Sequence, residues 1–182
     1  PHSLGVIHAV LAMYARPDIR DYVDGMVFMA PTGHGGTHPN RMFSSLASEV
    51  IHRPVNDYAR KVMLDAIEYT LRAGPHLIKK IIQARDVRII DETRALIEER
   101  GVPITALLFI HDQLVKHAEV SEGLGRAGVE YAFDVVAQLA GHNALLQVPK
   151  IVAARGIDAI NSIEDGLFIE RGATRLIGRA AA

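Results

Sequence analysis

Three short stretches, Gly25 to Ala30, Val102 to Ile110 and Val129 to Val136, are dominated by apolar, β-branched and aromatic residues and do not alternate strictly with polar ones. A strand with one wet face alternates with a period of two; a nearly continuous apolar run is what a strand covered on both faces requires, as in a parallel sheet. Pro31 closes the first run, and the second ends on His111-Asp112. Between the runs the apolar residues return at helical spacing. Strands alternating with helices predict an α/β domain built on a parallel sheet in three layers.

The helices are predicted from the same pattern. Leu4, Ile7, Val10, Leu11 and Tyr14 fall on one helical face, and Ala15-Arg16-Pro17 ends it. Residues 32–40, with three glycines, two histidines and a proline, read as a loop. Four helices are expected at about 41–52, 55–73, 76–85 and 89–100, the break between the last two resting on the polar stretch near Asp86. Two more are expected at about 118–127 and 149–163, the latter with Pro149 in its first turn, where a missing N–H costs nothing.

Composition removes several classes of function. The 182 residues carry 20 Lys and Arg against 21 Asp and Glu, with both signs scattered, so there is no electrostatic footprint for nucleic acid or an anionic membrane. No cysteine is present, which excludes disulfides, thiolate metal sites and a cysteine nucleophile together. Charged residues interrupt every apolar run short of the roughly 18 residues of a spanning helix. No basic segment and no cleavage site precede Leu4, so a cytoplasmic location is the expectation.

Three residues stand in an informative order: Ser3 before the first helix, Asp112 after the second strand and His142 after the third. Taken singly they read as a helix cap, a turn residue and a solvated loop histidine. Taken together they can meet, because the C-terminal ends of parallel strands share one edge of the sheet. On these residues the chain resembles the α/β-hydrolases. His2-Ser3-Leu4-Gly5 is similar to the last four positions of the nucleophile elbow G-x-S-x-G, the chain order Ser, Asp, His is the one that family uses, and Gly141-His142-Asn143 resembles the turn that carries its base.

The resemblance implies Ser3 as nucleophile, His142 as general base and acid, and Asp112 as the carboxylate that orients the imidazole. It implies the Leu4 N–H as an oxyanion donor and Gly5 as a residue kept small for close packing of the elbow. It implies no cofactor and no metal. The expected reaction is cleavage of an ester, thioester or related carbonyl bond of a small-molecule acyl substrate through an acyl-enzyme; hydrolases of carbon–carbon bonds and perhydrolases share the same residue set. The expected layout is an elbow helix and first strand over 1–36, a helical lid over 37–85, the rest of the core over 86–163 and a tail over 164–182. Met42, Phe43 and Leu46, at helical spacing in the lid, are the candidate substrate-binding residues, the alternative for them being packing within the lid itself.

Pro1 stands where the elbow has its first glycine, and the strands that would precede Ser3 in the family have no counterpart in the 182 residues. At about 30 residues per βαβ unit, those strands amount to on the order of a hundred residues. The expectation is therefore an incomplete sheet, the C-terminal part of a longer hydrolase, with the edge of its first strand unpaired and open to homo-oligomeric pairing. The alternative is a truncated, inactive remnant serving as an interaction module. His34-Gly35-Gly36 is similar to the oxyanion motif of some esterases but follows a later strand than that motif does, and His34 and His38 share no fixed helical face for a metal; both are read as loop residues. Lys79-Lys80 with Arg85 and Arg88 reads as a solvated helix face.

Overall fold

A computed structural model describes residues 1–35, 44, 47–48, 51, 57–137 and 141–176. The elements are helix α1 (Leu4–Ala15), a 3-10 segment (Pro17–Tyr22), strand β1 (Met26–Met29), helices α2 (Asp57–Ala73) and α3 (Pro75–Glu98), strand β2 (Ile104–Phe109), helix α4 (His117–Arg126), strand β3 (Tyr131–Val135), helices α5 (Ala144–Gln147) and α6 (Pro149–Asp165), and strand β4 (Thr174–Arg175). The sheet order is β1-β2-β3-β4, the first three parallel and β4 antiparallel to β3.

All six residues of β2 are buried, as a central strand covered on both faces must be. The pleat sends Ile104, Ala106 and Leu108 into one core and Leu107 and Phe109 into the other. The first core joins Met26 and Phe28 to α1, α3 and α4 through Val10, Ile89, Leu96 and Leu124. The second joins Phe133 and Val135 to Val152 and Ala159 of α6. The molecule is thus a helix–sheet–helix sandwich, and the three strands read from the sequence are the three parallel strands.

Several elements differ from the sequence expectation. Helices expected at about 76–85 and 89–100 are one helix, α3, because nothing near Asp86 is a helix breaker and a polar turn is compatible with a continuous helix. The face that α1 buries is Val6, Ile7, Val10 and Met13, whereas Leu4 and Tyr14 are exposed. Apolar residues lie nearly all round α1, so periodicity does not select its inner face; the packing against α3 does. Thr174 and Arg175, in the expected tail, add a strand beside Tyr131 and Ala132. The loop after β1 is not solvated: Pro31, Thr32, Gly33 and His34 are all buried. Met42, Phe43, Leu46 and His38 lie outside the described residues.

The outer edge of β1 is partly paired. His2 bridges Met29 in parallel, with the Met29 N–H donating to the Pro1 carbonyl at 2.8 Å and the Ser3 N–H donating to the Met29 carbonyl at 2.9 Å. Residues 1–3 therefore run as an extended stub beside β1, and the chain turns at Ser3 directly into α1. No helix among the described residues is long and apolar enough to cross a membrane.

Candidate active site

The turn from extended chain to helix puts Ser3 at φ 53° and ψ −127°, a conformation an L-residue other than glycine adopts at a cost of about 1–3 kcal/mol. The two backbone hydrogen bonds to Met29 hold it there. This geometry projects the hydroxyl above the C-terminal edge of the sheet and away from its own backbone; Ser3 makes no side-chain cap to α1. Gly5 N–H and Val6 N–H donate back to the carbonyls of His2 and Ser3, and Leu4 N–H, ahead of them, has no intrahelical acceptor because it opens the helix.

Asp112 follows β2, with its N–H donating to the Phe109 carbonyl at 3.0 Å. Its Oδ1 accepts the N–H groups of Leu114 and Val115 at 2.8 and 2.9 Å, which fixes the carboxylate and leaves Oδ2 directed to His142. His142 lies between β3 and α5, beside Gly141, whose N–H donates to Gln147 Oε1 at 2.8 Å. The His142 Nδ1–H donates to Asp112 Oδ2 at 2.7 Å, and the Ser3 hydroxyl donates to His142 Nε2 at 2.7 Å. The His142 and Asp112 side chains are 5% and 1% exposed, so water competes little for either bond.

The sheet thus brings together Ser3, His142 and Asp112, which lie 139 and 30 positions apart along the chain. The directions form a relay: a carboxylate accepts from Nδ1, which makes Nε2 the acceptor, and the hydroxyl points at that acceptor. A second trio of the same residue types provides an internal comparison. His117 Nε2 bonds Asp134 Oδ1 at 2.8 Å, and the bond to Asp134 raises the His117 pKa above its usual value. Yet the Ser121 hydroxyl donates to the backbone carbonyl of His117 at 2.6 Å and not to its ring, so no proton path joins serine to imidazole there. That trio lines an open cavity of about 520 Å³ with Glu122 and Arg175, which contains neither Ser3 nor His142.

One expectation is corrected. A Cβ built on Gly5 meets nothing within 4 Å, so among the described residues no close packing requires glycine there. His34, read from the sequence as a loop residue, does lie in the loop after β1 but is fully buried, its Nε2 at 2.9 Å from Thr93 Oγ1 of α3 and its ring tilted against Phe28. The sequence reading gave no role to His2. Its Nε2–H donates to the His142 carbonyl at 3.0 Å, and only the tertiary fold, which brings position 142 to it, reveals the contact. Among the described residues no group of three or more His, Asp or Glu side chains can hold a metal ion.

No protein-family model and no curated protein matches the chain. Eleven chains of solved structure do. One is a protein described as a non-heme bromoperoxidase, BpoC, from Mycobacterium tuberculosis H37Rv, 16% identical with a TM-score of 0.47, over 89% of this chain and 65% of that one. The chain therefore spans just under two thirds of that protein. A likeness at this level fixes neither family nor activity, and the fold stands on its own sheet and helices.

Proposed function

We propose that Ser3, His142 and Asp112 are the catalytic residues of a serine hydrolase of the α/β-hydrolase type, cleaving an ester, thioester or related carbonyl bond of a small acyl substrate. The observation that carries the reading is the Ser3 hydroxyl at 2.7 Å from the Nε2 of an imidazole whose other nitrogen is already committed to a buried carboxylate. A serine hydroxyl is a weak nucleophile until a base takes its proton as the new bond forms. His142 is oriented for that transfer, and Asp112 stabilises the imidazolium that results.

In the first half-reaction Ser3 Oγ attacks the carbonyl carbon while its proton passes to His142 Nε2. The negative charge that develops on the carbonyl oxygen is met by the Leu4 N–H, at the positive end of α1. Collapse of the tetrahedral species expels the alcohol or thiol, which takes the proton back from Nε2 and leaves Ser3 acylated. In the second half a water gives its proton to Nε2 as it attacks the acyl carbon, and collapse breaks the acyl bond to Ser3 Oγ, which takes that proton back from Nε2 as the acid is released. Met42, Phe43 and Leu46 remain the candidate acyl-contacting residues, on the strength of their helical spacing.

Fluorophosphonate labelling of the protein as its source makes it tests the reading. The expected result is one adduct, on the peptide carrying Ser3, lost in Ser3→Ala together with p-nitrophenyl ester turnover. Folded protein that neither labels nor turns over ester would favour an inactive remnant instead.

A further inference from the structure

Ser3 and His142 need to stay within hydrogen-bond reach although the chain between them runs through all three parallel strands. A single hydroxyl–imidazole bond is a poor tether, because it must break whenever His142 hands its proton to a leaving group. The residue next to the serine supplies a second attachment. His2 sits in the extended stub paired to Met29, and the turn at Ser3, at φ 53°, lets the two neighbouring side chains reach the same residue. Its Nε2–H donates to the backbone carbonyl of His142 at 3.0 Å, and its ring lies tilted over that of His142, with 5.3 Å between centroids, and next to Phe109, at 6.2 Å.

We propose that His2 is a further positioning residue of the site, beside Asp112: together with Ser3 it grips His142 at two points, the backbone by His2 and the ring by Ser3, so that the base keeps its place through the steps in which the Ser3 bond is broken. This rests on the reading of Ser3, His142 and Asp112 as a catalytic relay. The His2 bond involves no atom that changes partner during catalysis. It is made to the carbonyl of His142 and survives protonation of the ring.

Burial of the ring keeps His2 uncharged near neutral pH. Burial, and next the neighbouring His142, lower its pKa to about 4, while the hydrogen bond to the His142 carbonyl and then the charge of Asp112 act in the opposite direction. His142, Asp112 and the Pro1 nitrogen are the ionisable groups whose charge reaches it. A neutral His2 adds no repulsion when His142 becomes an imidazolium 5.3 Å away.

The test uses two variants. In His2→Gln the side-chain amide places an N–H donor near the position of Nε2; in His2→Leu the volume is kept and the donor is lost. His2→Leu is expected to lower kcat for a p-nitrophenyl ester about 10- to 100-fold with KM little changed, the size of effect that follows from misplacing a catalytic group by an ångström. His2→Gln is expected to recover most of that loss. In histidine NMR of the unsubstituted protein the His2 ring should titrate near pH 4. Equal loss in both variants, loss in neither, or a His2 ring that titrates near 6.5 would overturn the proposal. Absence of fluorophosphonate labelling at Ser3 in the unsubstituted protein would instead overturn the relay on which it rests, so the two failures are told apart.

Discussion

Asp112 owes its orientation to the two N–H groups that Oδ1 accepts, and this makes its amide substitution severe. In Asp112→Asn one face of the side chain becomes a donor. Turned one way it opposes the N–H groups of Leu114 and Val115, and turned the other way it opposes His142 Nδ1–H. The second orientation reverses the tautomer that leaves Nε2 free to accept, the first repels the two N–H groups that fix the side chain, and both remove the charge that stabilises the imidazolium, so ester turnover is expected to fall about 1000- to 10000-fold while the urea midpoint moves much less. By contrast, Ser121→Ala should leave turnover unchanged, since that hydroxyl serves only a backbone carbonyl. His34, like His2, weakens the fold in acid. Burial lowers its pKa from 6.5 to about 4. Between those values the unfolded chain binds a proton that the folded chain does not, so stability is full above pH 6.5 and declines toward pH 4, by about 3 kcal/mol for this group alone. Urea midpoints at pH 7, 5.5 and 4 check this, and His34→Gln should flatten the slope. His117 has the opposite sign: its raised pKa adds stability below pH 6.5 that is lost as pH climbs through the folded value.

Helix α4 reaches its place only because Gly123 lacks a side chain. A Cβ there would lie 1.4 Å from the carbonyl oxygen of His34, a backbone atom with nowhere to move, since His34 is also bonded to Thr93. Gly123→Ala is therefore expected to cost about 3 kcal/mol or more, although alanine is the better helix former. Gly156 of α6 is the matched control. Nothing lies within 4 Å of a Cβ at that position, and Gly156→Ala should stabilise by up to about 1 kcal/mol. Thermal unfolding of the two variants separates a packing requirement from helix propensity. Sequence alone shows two glycines in two helical stretches and does not distinguish them.

The two cores meet in β2, where Leu107 and Leu108 are consecutive and face opposite layers of helices. Truncating either to alanine removes buried contacts in a different layer, and each is expected to cost about 2–5 kcal/mol. If the sandwich unfolds as one unit, both substitutions lower the urea midpoint without splitting the transition; separate transitions would show that the layers melt independently. The site spans the same unit: Ser3 precedes α1 of one layer, whereas His142 precedes α5 and α6 of the other. Leu107→Ala and Leu108→Ala should therefore both reduce ester turnover as they approach their midpoints, and in parallel with loss of structure.

The amino-acid sequence was sufficient for the three parallel strands, since an apolar run that does not alternate has no stable place except between two layers. It was sufficient also for the order Ser3, Asp112, His142, because strands with a common direction deliver their C-terminal residues to a common edge. Other features depended on long-range contacts that no local pattern encodes. The unbroken α3, the buried face of α1 and the edge pairing of Thr174 and Arg175 were decided by what each segment packs against. So was the burial of His34, a polar residue in a glycine-rich segment whose composition reads as solvated. His2 shows the limit most plainly. Its partner is a backbone carbonyl 140 positions away, and a carbonyl is the one acceptor that every residue carries alike, so only the fold determines which one it meets.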